Sequence, residues 1–138
     1  MAKSQGLGLI AAIGVGVAGV ALLVLGVAMM ELSTVDPPYR AVPGGDLDRG
    51  RNAIRKYNCG QCHTIPGVPG AIGTKGQPLI GLGARVDIVG ALPNTPDDVI
   101  RWIQKPKSIY PDTSMPELNV TDKDARDIVA YLYSIPPQ

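Results

Sequence analysis

Both cysteines and the only histidine of this chain fall within five consecutive residues, Cys59-Gly60-Gln61-Cys62-His63. In a run of this form the two thiols can add to the two vinyl groups at one porphyrin edge, and the adjacent imidazole can reach the iron. This is the pattern of c-type haem attachment. The sequence therefore predicts one covalent haem c, bound through Cys59 and Cys62, with His63 as an iron ligand. The rest of the chain must fold around that group.

Three other kinds of site use the same residue types. A thioredoxin-like redox pair needs a βαβ setting, which the sequence does not show. A zinc site needs four ligands, and the sequence has no second Cys/His pair. A simple disulfide would leave His63 without a role. Haem attachment is the interpretation that uses all three residues.

The second axial ligand of the iron follows by elimination. With a single histidine, ligation by two histidines within one chain is impossible. Three of the four methionines lie in the first 30 residues, and only Met115 lies beyond them, in a Pro-rich stretch. We predict ligation by His63 and Met115, which gives a higher reduction potential than ligation by two histidines. Lysine ligation or an open position is the alternative.

Residues 6–30 contain no charged or strongly polar side chain. At about 1.5 Å per residue, a helix over this run spans roughly 37 Å, enough for a hydrocarbon core of about 30 Å. A cleavable signal peptide is the alternative, but its apolar region runs to about 7–15 residues. We therefore predict an uncleaved signal-anchor helix over residues 1–30. Lys3 before the run and Glu31 after it favour a single pass through the inner membrane, with a cytoplasmic N-terminus and a periplasmic domain.

Small residues form a stripe along this predicted helix, at Gly8, Ala12, Gly16 and Gly19. Such a stripe allows another transmembrane helix to approach closely, although small residues also fill helices that face lipid. Residues 31–45 follow, with three prolines and two glycines. They predict an extended linker of at most about 45 Å.

Residues 46–138 are predicted to form one domain that has little material for an apolar core. The chain lacks Phe, and all 13 prolines and 11 of the 17 glycines follow residue 30. A bound haem would supply the apolar surface that the side chains do not. The balance of 13 basic against 12 acidic residues excludes a strongly basic nucleic-acid-binding protein.

The domain is predicted to be all-α, with three helices joined by long Gly/Pro-rich loops and no convincing strand pattern. Asp46, Thr95 and Thr121 are the candidate N-caps, and Pro106 is expected to end the second helix. The apolar positions at helical spacing in the three helices are, in order, Leu47, Gly50, Ala53, Ile54 and Tyr57; Val99, Ile100, Trp102 and Ile103; and Ile128, Tyr131, Leu132 and Ile135.

The order of helix, C-x-x-C-H motif, Leu loop, Trp-bearing helix, Met-Pro loop and C-terminal Tyr-Leu helix resembles the class I cytochromes c over residues 46–138. Two segments are similar to the cytochrome c domain fused to subunit II in some haem–copper oxidases. They are residues 59–67 (CGQCHTIPG) and residues 92–96 (LPNTP), the latter followed by Trp102. The resemblance implies the class I fold, with three main helices and long loops around haem c.

The resemblance also implies roles for individual residues. Leu79 would cover one face of the haem, and Arg85 and Trp102 would lie near its propionates. Gly50 on the first helix would pack against Tyr131 on the last. For Arg85 a solvated loop charge, and for Trp102 an ordinary core position, are the alternatives.

One segment departs from the family pattern. The family usually reads Gly-Pro-x-Leu, and the carbonyl of that proline accepts a hydrogen bond from the axial histidine. This chain reads Gly76-Gln77-Pro78-Leu79, so the proline is displaced by one position. An axial imidazole nearly always has such a partner. The sequence leaves open whether Gln77 or Pro78 supplies it.

The expected function is single-electron transfer on the outer face of an energy-transducing membrane, without enzymatic turnover in the isolated chain. The expected partners are redox proteins and a membrane complex, such as a terminal oxidase, a quinol-oxidising complex or a supercomplex of both. A tethered electron shuttle, a nitric oxide reductase-type subunit, a haem enzyme or ligand-binding sensor, and a structural subunit remain as alternatives.

Overall fold

The computed structural model describes residues 41–90 and 92–138. The described residues form four α-helices, one short antiparallel strand pair and two 3₁₀ turns. In chain order these are α1 (Leu47–Lys56), a 3₁₀ turn (Cys59–Gln61), a second 3₁₀ turn (Leu82–Ala84), β1 (Asp87–Ile88), β2 (Leu92–Pro93), α2 (Pro96–Gln104), α3 (Pro106–Ile109) and α4 (Asp122–Ser134).

The predicted transmembrane anchor and most of the predicted linker lie in residues 1–40, outside the described residues. In the part of the chain that is described, none of the helices has the length and apolar character needed to span a bilayer. The last linker residues do pack on the domain. Val42 packs against its core, and Gly45 lies so close to Ala130 of α4 that a Cβ would approach the Ala130 Cβ to 2.6 Å. The packed domain therefore begins before Asp46.

The three predicted helices are present, and their predicted caps form. Asp46, Thr95 and Thr121 each accept a hydrogen bond from the backbone N–H three residues later, which satisfies one of the open donors of a helix start. Pro106 follows the end of α2, as predicted. It also begins the four-residue α3, because a residue without an N–H suits a first helical turn.

The crossing of α1 and α4 holds the domain together. Gly50 lies directly against α4, where a Cβ would overlap the Asp127 carbonyl and lie 2.9 Å from the Tyr131 Cβ. The predicted contact between Gly50 and Tyr131 is confirmed. Since only glycine permits this distance between the helix backbones, Gly50 sets how closely α1 packs on α4.

Two expectations about local structure are wrong. Leu47 does not join the buried face of α1, since it is 51% exposed at the first turn. The predicted absence of strands also fails, because β1 and β2 pair antiparallel with Ile88 opposite Leu92. Each strand has only two residues, too few to produce an alternating pattern in the sequence.

The apolar core lies where α4 packs against α1, α2 and the Leu82–Ala84 turn. It is built mostly from aliphatic side chains, as the lack of Phe requires. The apolar side chains that α1, α2 and α4 bury in this core are Ala53, Ile54, Val99, Ile100, Ile103, Ala125, Ile128, Val129, Leu132 and Tyr133. The fold is therefore mainly helical, with loops carrying most of the predicted site.

Candidate cofactor site

A tight turn at the end of α1 presents Cys59, Cys62 and His63 together. The carbonyl of Cys59 accepts hydrogen bonds from the backbone N–H groups of Cys62, at 3.2 Å, and His63, at 3.0 Å. Side chains three residues apart in a 3₁₀ turn eclipse one another, so the two thiols share one face. Asn58 enters the turn with a left-handed φ of 55°. The predicted thiol pair and its adjacent imidazole are thus locally organised.

The following loop returns along this turn and fixes it. The backbone N–H of Gly73 donates to the Gly60 carbonyl at 3.0 Å, and the N–H of Gly76 donates to the Cys62 carbonyl at 2.8 Å. Gly76 also lies against the His63 ring, which a Cβ at this position would strike. A residue with a side chain would displace the imidazole, so Gly76 belongs to the site.

His63 has a defined partner for one ring nitrogen. Its Nδ1 lies 2.7 Å from the carbonyl oxygen of Gln77. Because a carbonyl can only accept, Nδ1 carries the proton and donates, which leaves the Nε2 lone pair available for a metal. The question left open by the sequence is therefore answered. Gln77, and not Pro78, supplies the carbonyl in this structure.

The residues of this turn fit a haem c. Cys59 and Cys62 are not joined in a disulfide, and both are partly buried. Burial raises the pKa of the Cys59 thiol. Two free thiols on one face, beside an imidazole whose Nε2 is free to bind, are the donor set that covalent haem attachment needs. In the described part of the chain, no group of three or more His, Cys, Asp or Glu could hold a metal ion by itself.

Arg85 lies next to the segment that holds His63. Its Nη2 donates to the carbonyl of Pro78 and to that of Ile80, the latter at 3.1 Å. Its Nε and Nη1 make no hydrogen bond within the described residues. A guanidinium has five N–H donors, so several remain for an anion such as a haem propionate. The contacts with Pro78 and Ile80 were not predicted from the sequence.

The other predicted site residues lie on separate elements. Leu79 is half-buried against the core, and its N–H donates to the Thr64 carbonyl at 2.9 Å. Trp102 is also half-buried against the core, and its indole N–H makes no hydrogen bond within the described residues. Met115 is half-buried in the loop of residues 110–121, which has no helix or strand. None of the hydrogen bonds among the described residues joins Trp102 or Met115 to the Cys59–His63 turn.

Asn94 is a residue next to the site that the sequence did not identify as functional. It is fully buried, and its Nδ2 donates to the carbonyls of Leu82, at 2.6 Å, and Arg85, at 2.8 Å. Its Oδ1 accepts a hydrogen bond from the Tyr133 hydroxyl at 2.7 Å. Asn94 thus ties the loop that carries Arg85 to α4. The only sequence signal was its place in the LPNTP segment.

A second buried polar residue, Asp127, lies in the α1–α4 contact. Its carboxylate accepts hydrogen bonds from Arg49, Lys123 and the backbone N–H of Asp46. Burial by itself would raise the pKa of Asp127, but the hydrogen bonds from Arg49 and Lys123 outweigh burial and lower this pKa to about 2. The charged carboxylate holds the start of α1, and therefore the helix that leads into the Cys59–His63 turn.

Comparison with known proteins places this geometry in a family. A model of the cytochrome c family matches residues 47–136. Over 90 residues, the chain is 29% identical to the cytochrome c oxidase subunit 2 of Alkalihalophilus pseudofirmus, an alignment that covers 64% of this chain and 25% of that protein. The chain thus matches about a quarter of the length of this relative. No solved structure matches the chain significantly.

The family match covers more than half of the chain and contains the Cys59–His63 turn, the loop that returns over it and all four helices. The fold, the donor set and the match agree. This chain belongs to the cytochrome c family.

Proposed function

We propose that this chain is a membrane-anchored single-electron carrier whose one haem c is held by Cys59, Cys62, His63 and Met115. As a member of the cytochrome c family it carries covalent haem c and transfers electrons. The bound haem supplies an iron that gains and loses one electron. The protein residues attach this group and orient its ligands.

One observation supports the assignment of His63 most strongly. Its Nδ1 donates to the Gln77 carbonyl at 2.7 Å, which fixes both the tautomer and the direction of the ring. A hydrogen bond donated by the ring nitrogen that does not bind the iron makes an axial imidazole more basic. Metal-binding histidines usually make such a bond. The two unpaired thiols of Cys59 and Cys62 on the same turn support attachment at this place.

Met115 is proposed as the second axial ligand. It is the only methionine among residues 41–138, and it lies in a loop without regular structure. Loops of about 12 residues without secondary structure are uncommon in compact domains and are often functional. A thioether at the sixth position favours the reduced iron and leaves no open position for a substrate. This supports a carrier over a haem enzyme or a gas sensor.

Attachment through the two thiols is tested by haem staining of denaturing gels. The full chain is expressed in a host that attaches haem to C-x-x-C-H motifs. The wild type is expected to keep its haem after denaturation, and the double variant Cys59→Ser/Cys62→Ser is expected to lose it. Gln61→Ala, at an exposed variable position of the same motif, is the matched control and should keep its haem. Equal staining of the double variant would contradict the assignment.

We also propose that the chain works as a fixed subunit of a respiratory membrane complex with an oxidase, rather than as a free tethered shuttle. The similarity to a protein named cytochrome c oxidase subunit 2 supports this proposal. The apolar run of residues 6–30 and its small-residue stripe support an anchor that packs against another helix. The domain would then lie on the periplasmic side, close to its donor and acceptor.

Purification of the full chain in mild detergent tests this association. The wild type is expected to copurify with subunits of an oxidase or a quinol-oxidising complex. Gly16→Leu/Gly19→Leu should detach it while leaving haem attachment intact, because bulk would block close helix contact. Gly14→Leu/Ala21→Leu, on the opposite face of the predicted helix, is the matched control. Isolation of the wild type as a lone protein would favour the tethered shuttle.

A further inference from the structure

A path of hydrogen bonds leads from α4 towards the His63 ring. It begins at Tyr133, whose hydroxyl donates to Asn94 Oδ1 at 2.7 Å. Both side chains are fully buried. Buried polar groups that are fully hydrogen-bonded hold their surroundings in one arrangement, because an alternative arrangement would leave a group unpaired. Among the described residues, every buried side-chain polar atom has a partner.

The next step fixes the backbone of Arg85. Asn94 Nδ2 donates to the carbonyls of Leu82 and Arg85, and the backbone N–H of Asn94 donates to the Val86 carbonyl at 3.0 Å. Three hydrogen bonds from one residue therefore hold residues 82–86. The position from which the Arg85 side chain extends is thereby set by Asn94.

Arg85 then holds the segment that contacts His63. Its Nη2 donates to the carbonyls of Pro78 and Ile80. The other side of the same segment is held by the Cys59–His63 turn and its continuation, through Gly76 N–H to the Cys62 carbonyl and Leu79 N–H to the Thr64 carbonyl. The segment 76–80 is therefore held from two sides.

Pro78 links its own carbonyl, which Arg85 holds, to the Gln77 carbonyl, which accepts the hydrogen bond from His63. The Gln77 carbonyl belongs to the peptide group that joins Gln77 to Pro78. The proline ring fixes the next backbone torsion, the φ of Pro78, near about −65°. With that torsion fixed, the Pro78 ψ is the only soft torsion between the two carbonyls, so a guanidinium that holds the Pro78 carbonyl limits how far the Gln77 carbonyl can turn. The displaced proline of this chain makes that link direct.

We propose that Asn94 and Tyr133 are positioning residues that act through Arg85 to hold the Gln77 carbonyl on His63 Nδ1, and so set the reduction potential. The inference rests on the proposed function in that it takes His63 as an axial ligand. A firm hydrogen bond at Nδ1 makes the imidazole more basic, and a more basic ligand stabilises the oxidised iron. Loosening this bond should raise the potential.

The single histidine makes the test direct. Protein labelled with ¹⁵N-histidine gives NMR signals from His63 alone, so the exchange of its Nδ1–H with solvent can be followed without interference. The variants are Tyr133→Phe, which removes one hydroxyl, and Asn94→Ala, which removes the two side-chain hydrogen bonds to the Leu82 and Arg85 carbonyls and the acceptor of the Tyr133 hydroxyl. The matched control is Tyr57→Phe, which loses a hydroxyl hydrogen bond to Asp124 at 2.8 Å, outside this path.

Asn94→Ala is expected to exchange the His63 Nδ1–H about fivefold faster, the effect of losing roughly one neutral hydrogen bond, and to have a higher midpoint potential. Tyr133→Phe should change both quantities in the same direction by less, and it decides the test if Asn94→Ala yields no folded holoprotein. Tyr57→Phe should change neither.

Wild-type exchange and potential in a folded Tyr133→Phe holoprotein would overturn the proposal, as would equal shifts in Tyr57→Phe. These results would leave the proposed function intact. If the proposed function itself is wrong, the wild-type holoprotein will lack the spectrum of iron bound by histidine and methionine, which is a separate outcome.

Discussion

Arg49 and Asp127 join the two helices whose crossing holds the domain together. Arg49 Nε lies 2.9 Å from Asp127 Oδ2, and the Asp127 side chain is completely buried whereas that of Arg49 is half exposed. The same carboxylate accepts a hydrogen bond from the Asp46 backbone N–H at 2.9 Å, which fixes the first turn of α1. The position of the Cys59–His63 turn at the other end of α1 therefore depends on a buried charge.

This relationship predicts how stability depends on acid. The pKa of Asp127 is about 2 in the folded protein, below its ordinary value of 3.8. Its contribution to stability is therefore fully present above about pH 4 and is lost as the pH falls towards 2. Asp127→Asn should lower the free energy of unfolding at pH 7 by about 1.5–3 kcal/mol, because hydrogen bonds to a charged group are lost.

Urea unfolding of the holoprotein between pH 2 and 7 measures this effect. The difference between wild type and Asp127→Asn should shrink as the pH falls. Asp112→Asn, an exposed loop position without an ion pair among the described residues, is the control and should behave as the wild type. A constant difference across this range would show that the charge of Asp127 does not contribute.

Gly50→Ala separates the effect of packing from that of helix propensity. Alanine in a helix interior is favoured over glycine by about 1 kcal/mol, so propensity predicts stabilisation. The structure predicts the opposite, because a Cβ would overlap the Asp127 carbonyl and force α1 away from α4. We expect a lower unfolding temperature for Gly50→Ala and a slightly higher one for the exposed control Asn52→Ala, which gains helix propensity without a clash. Stabilisation by Gly50→Ala would contradict the observed crossing.

Arg85→Ala tests the proposed contact with a propionate. A nearby cation lowers the pKa of a carboxylate, so its removal should raise the pKa of that propionate. The pH range over which the reduction potential falls should then move to higher pH. The measurement is the midpoint potential from pH 5 to 9, with the exposed Arg55→Ala as the control. An unchanged profile would mean that Arg85 serves only the Pro78 and Ile80 carbonyls.

Met115→Ala tests the sixth ligand. Removing the thioether should lower the midpoint potential and open the reduced iron to carbon monoxide. Leu118→Ala, in the same loop, is the control and should bind no carbon monoxide. The optical spectrum and the potential report the change. Both would stay at their wild-type values if another residue occupies the sixth position.

The sequence predicted the elements that depend on local signals. The contact of Gly50 with Tyr131 was implied by the resemblance to the class I cytochromes c, whereas the caps at Asp46, Thr95 and Thr121 follow from the residue types at the starts of the helices. Asp127 could have been found in the same way, because it lies one turn before Tyr131 on the face that meets α1. A charged residue on a buried face indicates a partner.

Other features depend on the path of a loop and carry no such signal. The choice between the Gln77 and Pro78 carbonyls is made by how residues 72–79 return along the Cys59–His63 turn. The role of Asn94 depends on a two-residue strand and on a tyrosine distant in sequence. Neither feature produces a periodic pattern of residue types along the chain, so the sequence could not reveal it.

A redox titration of the purified wild-type holoprotein, followed by its optical spectrum, measures whether the chain carries one electron on an iron with six ligands. We predict one electron per chain, a slope of about 59 mV per tenfold change in the ratio of oxidised to reduced protein, and a reduced spectrum that carbon monoxide does not alter. A reduced protein that binds carbon monoxide, or a chain that takes up no electron, would contradict it.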